Sequence, residues 1–194
     1  METLRIVVAD DEEAVRATLV ELASALNHQV VGEARDGQEA VALARTTSPD
    51  LILLDIRMPH LDGLQAAHAI SEERPVPIII VTAHADQELI EEAAEAGVFS
   101  YLLKPITQQR LAAAISTARA RFADLQLLRS EVGDLKGALE ARKLVERAKG
   151  ILMRDLRVGE QEAYRWLKRT SSHHNQKLAD IARRIVALEQ QHPR

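Results

Sequence analysis

Five residues have types suited to phosphoryl chemistry, and each follows an apolar run. Asp10 and Asp11 close the run Leu4–Ala9, Asp55 closes Leu51–Leu54, Thr82 follows Ile78–Val81, and Lys104 follows Tyr101–Leu103. Carboxylates brought close together repel unless a cation lies between them, and a hard-oxygen set suits Mg²⁺. A hydroxyl and an ammonium beside them would grip phosphoryl oxygens while one aspartate attacks phosphorus. Taken singly, each has a plainer reading. Asp11 is a turn former or helix cap, Lys104 before Pro105 a solvated cation, and Thr82 a strand-end residue. The recurrence of all five at run ends favours the functional reading.

The elements that must position them follow from periodicity. Short apolar or β-branched runs at Arg5–Ala9, Gln29–Ala34, Leu51–Asp55, Pro77–Thr82 and Val98–Leu103 read as strands. Stretches with helical spacing lie between them, at Glu12–Leu26, Gly37–Arg45, Gly63–Glu73 and Asp86–Ala96. Alternating strands and helices imply an α/β fold, a doubly wound parallel sheet covered on both faces. The unbroken run Ile78-Ile79-Ile80-Val81 suits such a doubly covered strand. Ligands of open parallel sheets sit at the carboxyl ends of the strands, where all five residues fall.

After Pro105 the texture becomes wholly helical. Thr107 to about Arg154 holds no proline. Leu125, Leu128, Val132, Leu135 and Leu139 alternate steps of three and four, a short heptad seam. The seam suits either a dimeric coiled coil or packing on its own domain. Further helices are expected at Gly159–Thr170 and Asn175–Gln190, with Asn175 as N-cap. Trp166 is expected in the core, and His173-His174 in a solvated turn.

Composition narrows the class. Hydrophobic residues at 46% suffice for a packed core, and no apolar run is long enough to span a bilayer. No signal peptide is evident at the N-terminus. The chain has no cysteine, so disulfides and thiolate metal sites are excluded. A cytoplasmic location is expected. Charge is divided unevenly. Residues 1–124 carry 10 Lys/Arg against 20 Asp/Glu, and residues 125–194 carry 15 against 9, which suggests two modules with different partners.

The motifs Val8-Ala9-Asp10-Asp11-Glu12, Leu53-Leu54-Asp55-Ile56-Arg57-Met58-Pro59, Asp62-Gly63, Val81-Thr82-Ala83 and Tyr101-Leu102-Leu103-Lys104-Pro105 resemble the receiver domain of bacterial response regulators. The resemblance covers about residues 1–121. It implies a flavodoxin-like five-stranded sheet of order 2-1-3-4-5. It also implies phosphorylation of Asp55 by a sensor histidine kinase. Mg²⁺ would be held by Asp11, Asp55 and the backbone carbonyl of Arg57, with Asp10 acting through water. Thr82 and Lys104 would contact the phosphoryl group, and Tyr101 would be the switch aromatic that fills the space Thr82 vacates.

The order Ala141-Arg142-Lys143-Leu144-Val145-Glu146-Arg147-Ala148-Lys149-Gly150-Ile151-Leu152-Met153, then Glu162-Ala163-Tyr164 and Leu167-Lys168-Arg169, resembles the ANTAR domain of AmiR- and NasR-type antiterminators. That resemblance spans about residues 125–188. It implies a three-helix bundle fed by a coiled coil, dimeric, binding paired hairpins in nascent RNA so that polymerase passes a terminator. The expected organisation is a receiver at 1–121, a helical linker or coiled coil at 122–140, and an RNA-binding helical domain at 141–194. Arg142, Arg147 and Lys149 are candidates for phosphate or base contacts. Tyr164 is a candidate for stacking or for supporting the basic helix, and Gly150 for close helix approach. Phosphorylation is expected to favour a homodimer through the unbroken helix after Thr107.

Other readings remain open at this level. The helices could serve only dimerisation or protein binding, their cations being a solvated face. No helix-turn-helix signature supports a DNA-binding regulator. No substrate pocket is evident for a phosphohydrolase, so neither DNA binding nor an enzymatic role is expected.

Overall fold

The computed structural model describes residues 2–83 and 97–191. The expected helix Asp86–Ala96 lies outside them. Five strands form one parallel sheet: β1 (Arg5–Ala9), β2 (Gln29–Ala34), β3 (Leu51–Asp55), β4 (Ile78–Thr82) and β5 (Val98–Leu103), in the order β2-β1-β3-β4-β5. Because β1 pairs with β3, the chain ends of these two strands are neighbours. The register places Ala9 opposite Leu54, and so sets Asp10 beside Asp55.

Strand side chains alternate between faces, which splits the core in two. Val7, Ala9, Ile52, Leu54, Ile78 and Ile80 pack on one face with residues of α2 (Gly37–Thr47) and α3 (Gly63–Glu73). Ile6, Val8, Leu51, Leu53, Ile79 and Val81 pack on the other with α1 (Glu13–Ala25) and the first turns of α4 (Gln108–Leu156). In α4, Leu111, Ala114, Ile115 and Ala118 recur at helical spacing and turn one stripe to the sheet. The starts of α2 and α3 are set by side chains: Asp36 accepts from the Glu39 N–H, and Asp62 from the Gln65 N–H, each at 2.8 Å.

The chain divides into two compact units, Met1–Gln126 and Leu127–Arg194. The second contains the remainder of α4, α5 (Glu160–His174) and α6 (Leu178–Gln191). Val145, Ala148, Ile151 and Leu152 of α4 close a small core with Ala163 and Leu167 of α5 and Ile181, Ala182 and Val186 of α6. Trp166, expected in the core, is partly buried and packs at its margin.

Two expectations for this unit change, and one open alternative is narrowed. Asn175 is not an N-cap. It ends α5 in the left-handed conformation, with φ of 50°, and α6 begins later, at Leu178. Asparagine serves both roles because its short amide tolerates positive φ. His173 and His174 lie in the last turn of α5 rather than in a turn after it. The seam residues Leu128, Val132, Leu135 and Leu139 do not pack on their own unit, being 49–70% exposed. Among the described residues, no helix is long and apolar enough to cross a membrane.

Candidate functional site

Asp10, Asp55 and Lys104 meet at the carboxyl edge of the sheet. The Lys104 ammonium lies 2.9 Å from Asp10 Oδ2 and 2.9 Å from Asp55 Oδ1, with Glu12 Oε1 farther away at 3.6 Å. Both aspartates are buried. The other oxygens are held by backbone. Asp55 Oδ2 accepts from the Arg57 N–H at 2.6 Å, and Asp10 Oδ1 from the Glu12 N–H at 3.0 Å. Asp10 Oδ2 is buried and receives no well-aligned hydrogen bond; the ammonium meets it only as an ion pair. The Lys104 N–H donates to the Thr82 carbonyl at 2.9 Å, tying the end of β5 to the end of β4. Thr82 is itself buried there.

Electrostatics are uneven across this knot. Burial pushes the Asp55 carboxyl above its ordinary 3.8, the Lys104 ammonium pulls it down, and neighbouring Asp10 adds to the rise. Burial pulls Lys104 down, but its contacts with Asp55 and Asp10 outweigh this and hold it above its ordinary 10.5. Tyr101, half-buried on β5 opposite Ile80, is raised by burial.

A pH dependence follows from Asp55. A carboxyl raised in the folded state binds its proton better there than in the unfolded chain. Stability is therefore greatest below the unfolded value of 3.8 and falls as pH climbs through the raised folded value. In urea melts with chelator present, Asp55→Asn should be more stable than the parent at neutral pH, with the gap closing below 3.8. A gap that stays constant with pH would show that Asp55 ionises as freely in the fold as in water.

The third expected carboxylate, Asp11, makes no ion pair with Lys104 among the described residues. Asp11 is exposed, because successive side chains leave the strand end in different directions. Among the described residues, no three acidic or histidine side chains gather as a cation cage. Two carboxylates already share one cation, however, and the buried Asp10 Oδ2, met only by the Lys104 ammonium, is a hard oxygen suited to a metal cation.

One contributor has no counterpart in the sequence reading. Arg16 of α1 is buried, donates to the Asp10 carbonyl at 2.8 Å and lies 3.4 Å from Glu33 of β2. It shares a helix face with Leu19 and Ala23, at spacings of three and four. An arginine on an apolar face is the signal that would have found it, since a buried guanidinium needs partners.

In the helical unit, Arg142, Arg147, Gly150 and Tyr164 are exposed. Arg142 and Arg147 carry no ion pair among the described residues. Five residues apart, they diverge by about 140° around α4. Lys149 is buried instead, its ammonium 2.8 Å from Glu146 and 2.6 Å from Glu160, so it joins α4 to the start of α5. Glu146 thus pairs with Lys149, three residues on. The close approach expected at Gly150 is absent, since a Cβ there would meet nothing within 4 Å.

Comparison with known proteins agrees with this division. A family model for the response regulator receiver domain matches residues 6–116, and one for the ANTAR domain matches residues 133–186. The chain is 42% identical over 167 residues to the transcriptional regulatory protein PdtaR of Mycobacterium tuberculosis, covering 86% of this chain and 82% of that protein. Among solved structures, the receiver domain of a putative response regulator NarL from Mycobacterium tuberculosis matches with a TM-score of 0.57 at 36% identity, covering 61% of this chain and 98% of that one. The receiver domain of a modulated diguanylate cyclase from Desulfovibrio desulfuricans matches with a TM-score of 0.59 at 29% identity, covering 63% of this chain and 98% of that one. The chain therefore belongs to the response regulator family, with a receiver domain in its N-terminal part and an ANTAR domain in its C-terminal part.

Proposed function

We propose that this chain is a phosphorylation-controlled transcription antiterminator of the cytoplasm. A sensor histidine kinase would transfer a phosphoryl group to Asp55, and the C-terminal helices would bind hairpins in nascent RNA. The observation that carries the switch is the knot of Asp10, Lys104 and Asp55 at the strand edge. The match to the ANTAR family carries the output. In this reading the receiver is 1–121, the helical linker 122–140 and the RNA-binding domain 141–194.

The receiver-family match supports Asp55 as the nucleophile; its Oδ1 faces the Lys104 ammonium and would attack, while Oδ2 is held by the Arg57 N–H. As its oxygen bonds to phosphorus, the bond from phosphorus to the kinase histidine breaks and the imidazole leaves. Asp10, Asp11, Asp55 and the Arg57 carbonyl would hold Mg²⁺, which supplies charge neutralisation to the phosphoryl oxygens. Lys104 would turn from the aspartates to those oxygens, and the Thr82 hydroxyl would contact another. Tyr101 would then move towards the space Thr82 leaves. A local charge change would so bias the face of β4 and β5. The chain acts as a regulator and not as an enzyme on a separate substrate.

Arg142, Arg147 and Tyr164 are exposed groups available to RNA, whereas Lys149 would support the fold of the domain. The exposed seam of Leu128, Val132, Leu135 and Leu139 favours an additional role in dimerisation. Burying such a stripe against a second copy is the usual fate of a heptad repeat. Sedimentation and filter binding of tandem hairpin RNA, each with and without acetyl phosphate and Mg²⁺, test both roles. Phosphorylation is expected to shift monomer towards dimer and raise RNA retention. Unchanged association with no RNA retained at moderate salt would leave only the receiver half of the proposal.

A further inference from the structure

The cations of the helical unit differ in their partners. Lys143, Lys149, Arg154 and Arg183 each lie between 2.6 and 3.2 Å from a carboxylate of their own unit. Arg165, Lys168 and Arg169 of α5 are exposed and have no such partner among the described residues. Their steps of three and four put them on one face, opposite Ala163 and Leu167, which are fully buried. Arg165 and Arg169, four apart, repel each other across one turn. Glu162 also lies on this helix face, three residues before Arg165, yet it makes no ion pair with it among the described residues. Tyr164 is 43% exposed and stands four residues before Lys168, at the edge of the same face.

A cluster of like charges left uncompensated by its own fold is suited to an external polyanion. A paired cation brings less net positive charge to a polyanion, because its carboxylate partner stays beside it. Arg142 and Arg147 are unpaired but point to different sides of α4, so they cannot form one such surface together. We infer that the α5 face of Tyr164, Arg165, Lys168 and Arg169 is the surface that meets hairpin RNA. The three cations hold backbone phosphates, and the tyrosine ring stacks on an unpaired loop base. This assignment rests on the RNA-binding reading and adds the contact residues to it.

The probe is a tandem-hairpin RNA selected by the full-length parent chain from a library with randomised loops. Removing all three charges (Arg165→Gln, Lys168→Gln, Arg169→Gln) should lower the slope of log affinity against log salt by about two, at roughly 0.7 per phosphate contact on unpaired strands. Affinity at moderate salt should fall at least about tenfold. Tyr164→Ala should weaken binding by about tenfold at every salt concentration and leave the slope unchanged. Lys143→Gln with Arg183→Gln removes two paired charges and should leave the slope as in the parent. Circular dichroism melting of each variant reports folding, which these exposed positions should not alter. Parental slope and affinity in the triple variant would overturn the assignment while leaving RNA binding intact. A parent chain that selects no RNA would instead overturn the RNA reading, and this surface with it.

Discussion

Asp55→Asn is expected to abolish labelling of the chain by acetyl phosphate, lowering the rate at least about a hundredfold. The substitution conserves size and leaves an amide oxygen that can still accept from the Arg57 N–H. What it removes is the anionic oxygen of Asp55 that faces Lys104, the attacking atom of the proposed transfer. Asp10→Asn keeps that nucleophile and removes one of the two carboxylates around the shared cation. It should therefore slow labelling without ending it. Intact-mass spectrometry after incubation with acetyl phosphate and Mg²⁺ reads both variants. An undiminished phosphorylated fraction in Asp55→Asn would move the acceptor elsewhere and detach the sheet edge from the chemistry.

Gly63→Ala should destabilise the receiver unit by about 3 kcal/mol or more. A Cβ at this position would lie 1.9 Å from the Asp55 carbonyl oxygen and 3.0 Å from the Ile56 Cα. Both contacts are backbone, so no flexible side chain can yield. To relieve them, the start of α3 must withdraw from the end of β3, which breaks the 2.8 Å hydrogen bond from the Gly63 N–H to the Ile56 carbonyl. The same movement displaces the backbone that carries Asp55, so labelling should slow as well as stability fall. Gly150→Ala provides the opposite case. Nothing lies within 4 Å of a Cβ there, and alanine favours a helix interior by about 1 kcal/mol over glycine. The helical unit should gain stability. Urea melts followed by circular dichroism measure the pair, and equal midpoints for Gly63→Ala and the parent would refute the close approach.

The sheet was legible because its strands are covered on both sides. Ile78-Ile79-Ile80-Val81 has no polar break, and all four residues are buried in the fold. The expected and observed bounds of β1, β2, β3 and β5 coincide, while β4 begins at Ile78 rather than Pro77. Proline lacks the N–H that a ladder position needs, which accounts for that residue. The reading of Asn175 failed for a different reason. An asparagine before a helical pattern is compatible both with starting the next helix and with ending the last, and local sequence does not separate the two.

Site residues show the same division. Asp10 and Asp55 were legible as strand ends, and the register between β1 and β3 brings them together. Asp11 is adjacent in sequence to Asp10 but stands exposed, because one step along the chain changes the direction of a side chain. Lys149 looked like a free cation within a basic helix. Its engagement depends on Glu160, eleven residues away and on another helix. Arg16 was passed over because its partners, the Asp10 carbonyl and Glu33, belong to other elements.

Strands, helices, their order and the reactive groups at their ends are thus written in the chain locally. Those properties are local: periods of two and of 3.6 residues are written in neighbouring side chains. The tertiary structure alone decided which charges are neutralised and which remain available: Lys104 between two aspartates, Lys149 between two glutamates, and Arg165, Lys168 and Arg169 without an acidic partner among the described residues. The pairs of Lys104 with Asp10 and Asp55, and of Lys149 with Glu160, join groups on different elements, and that proximity arises from packing rather than from any one segment.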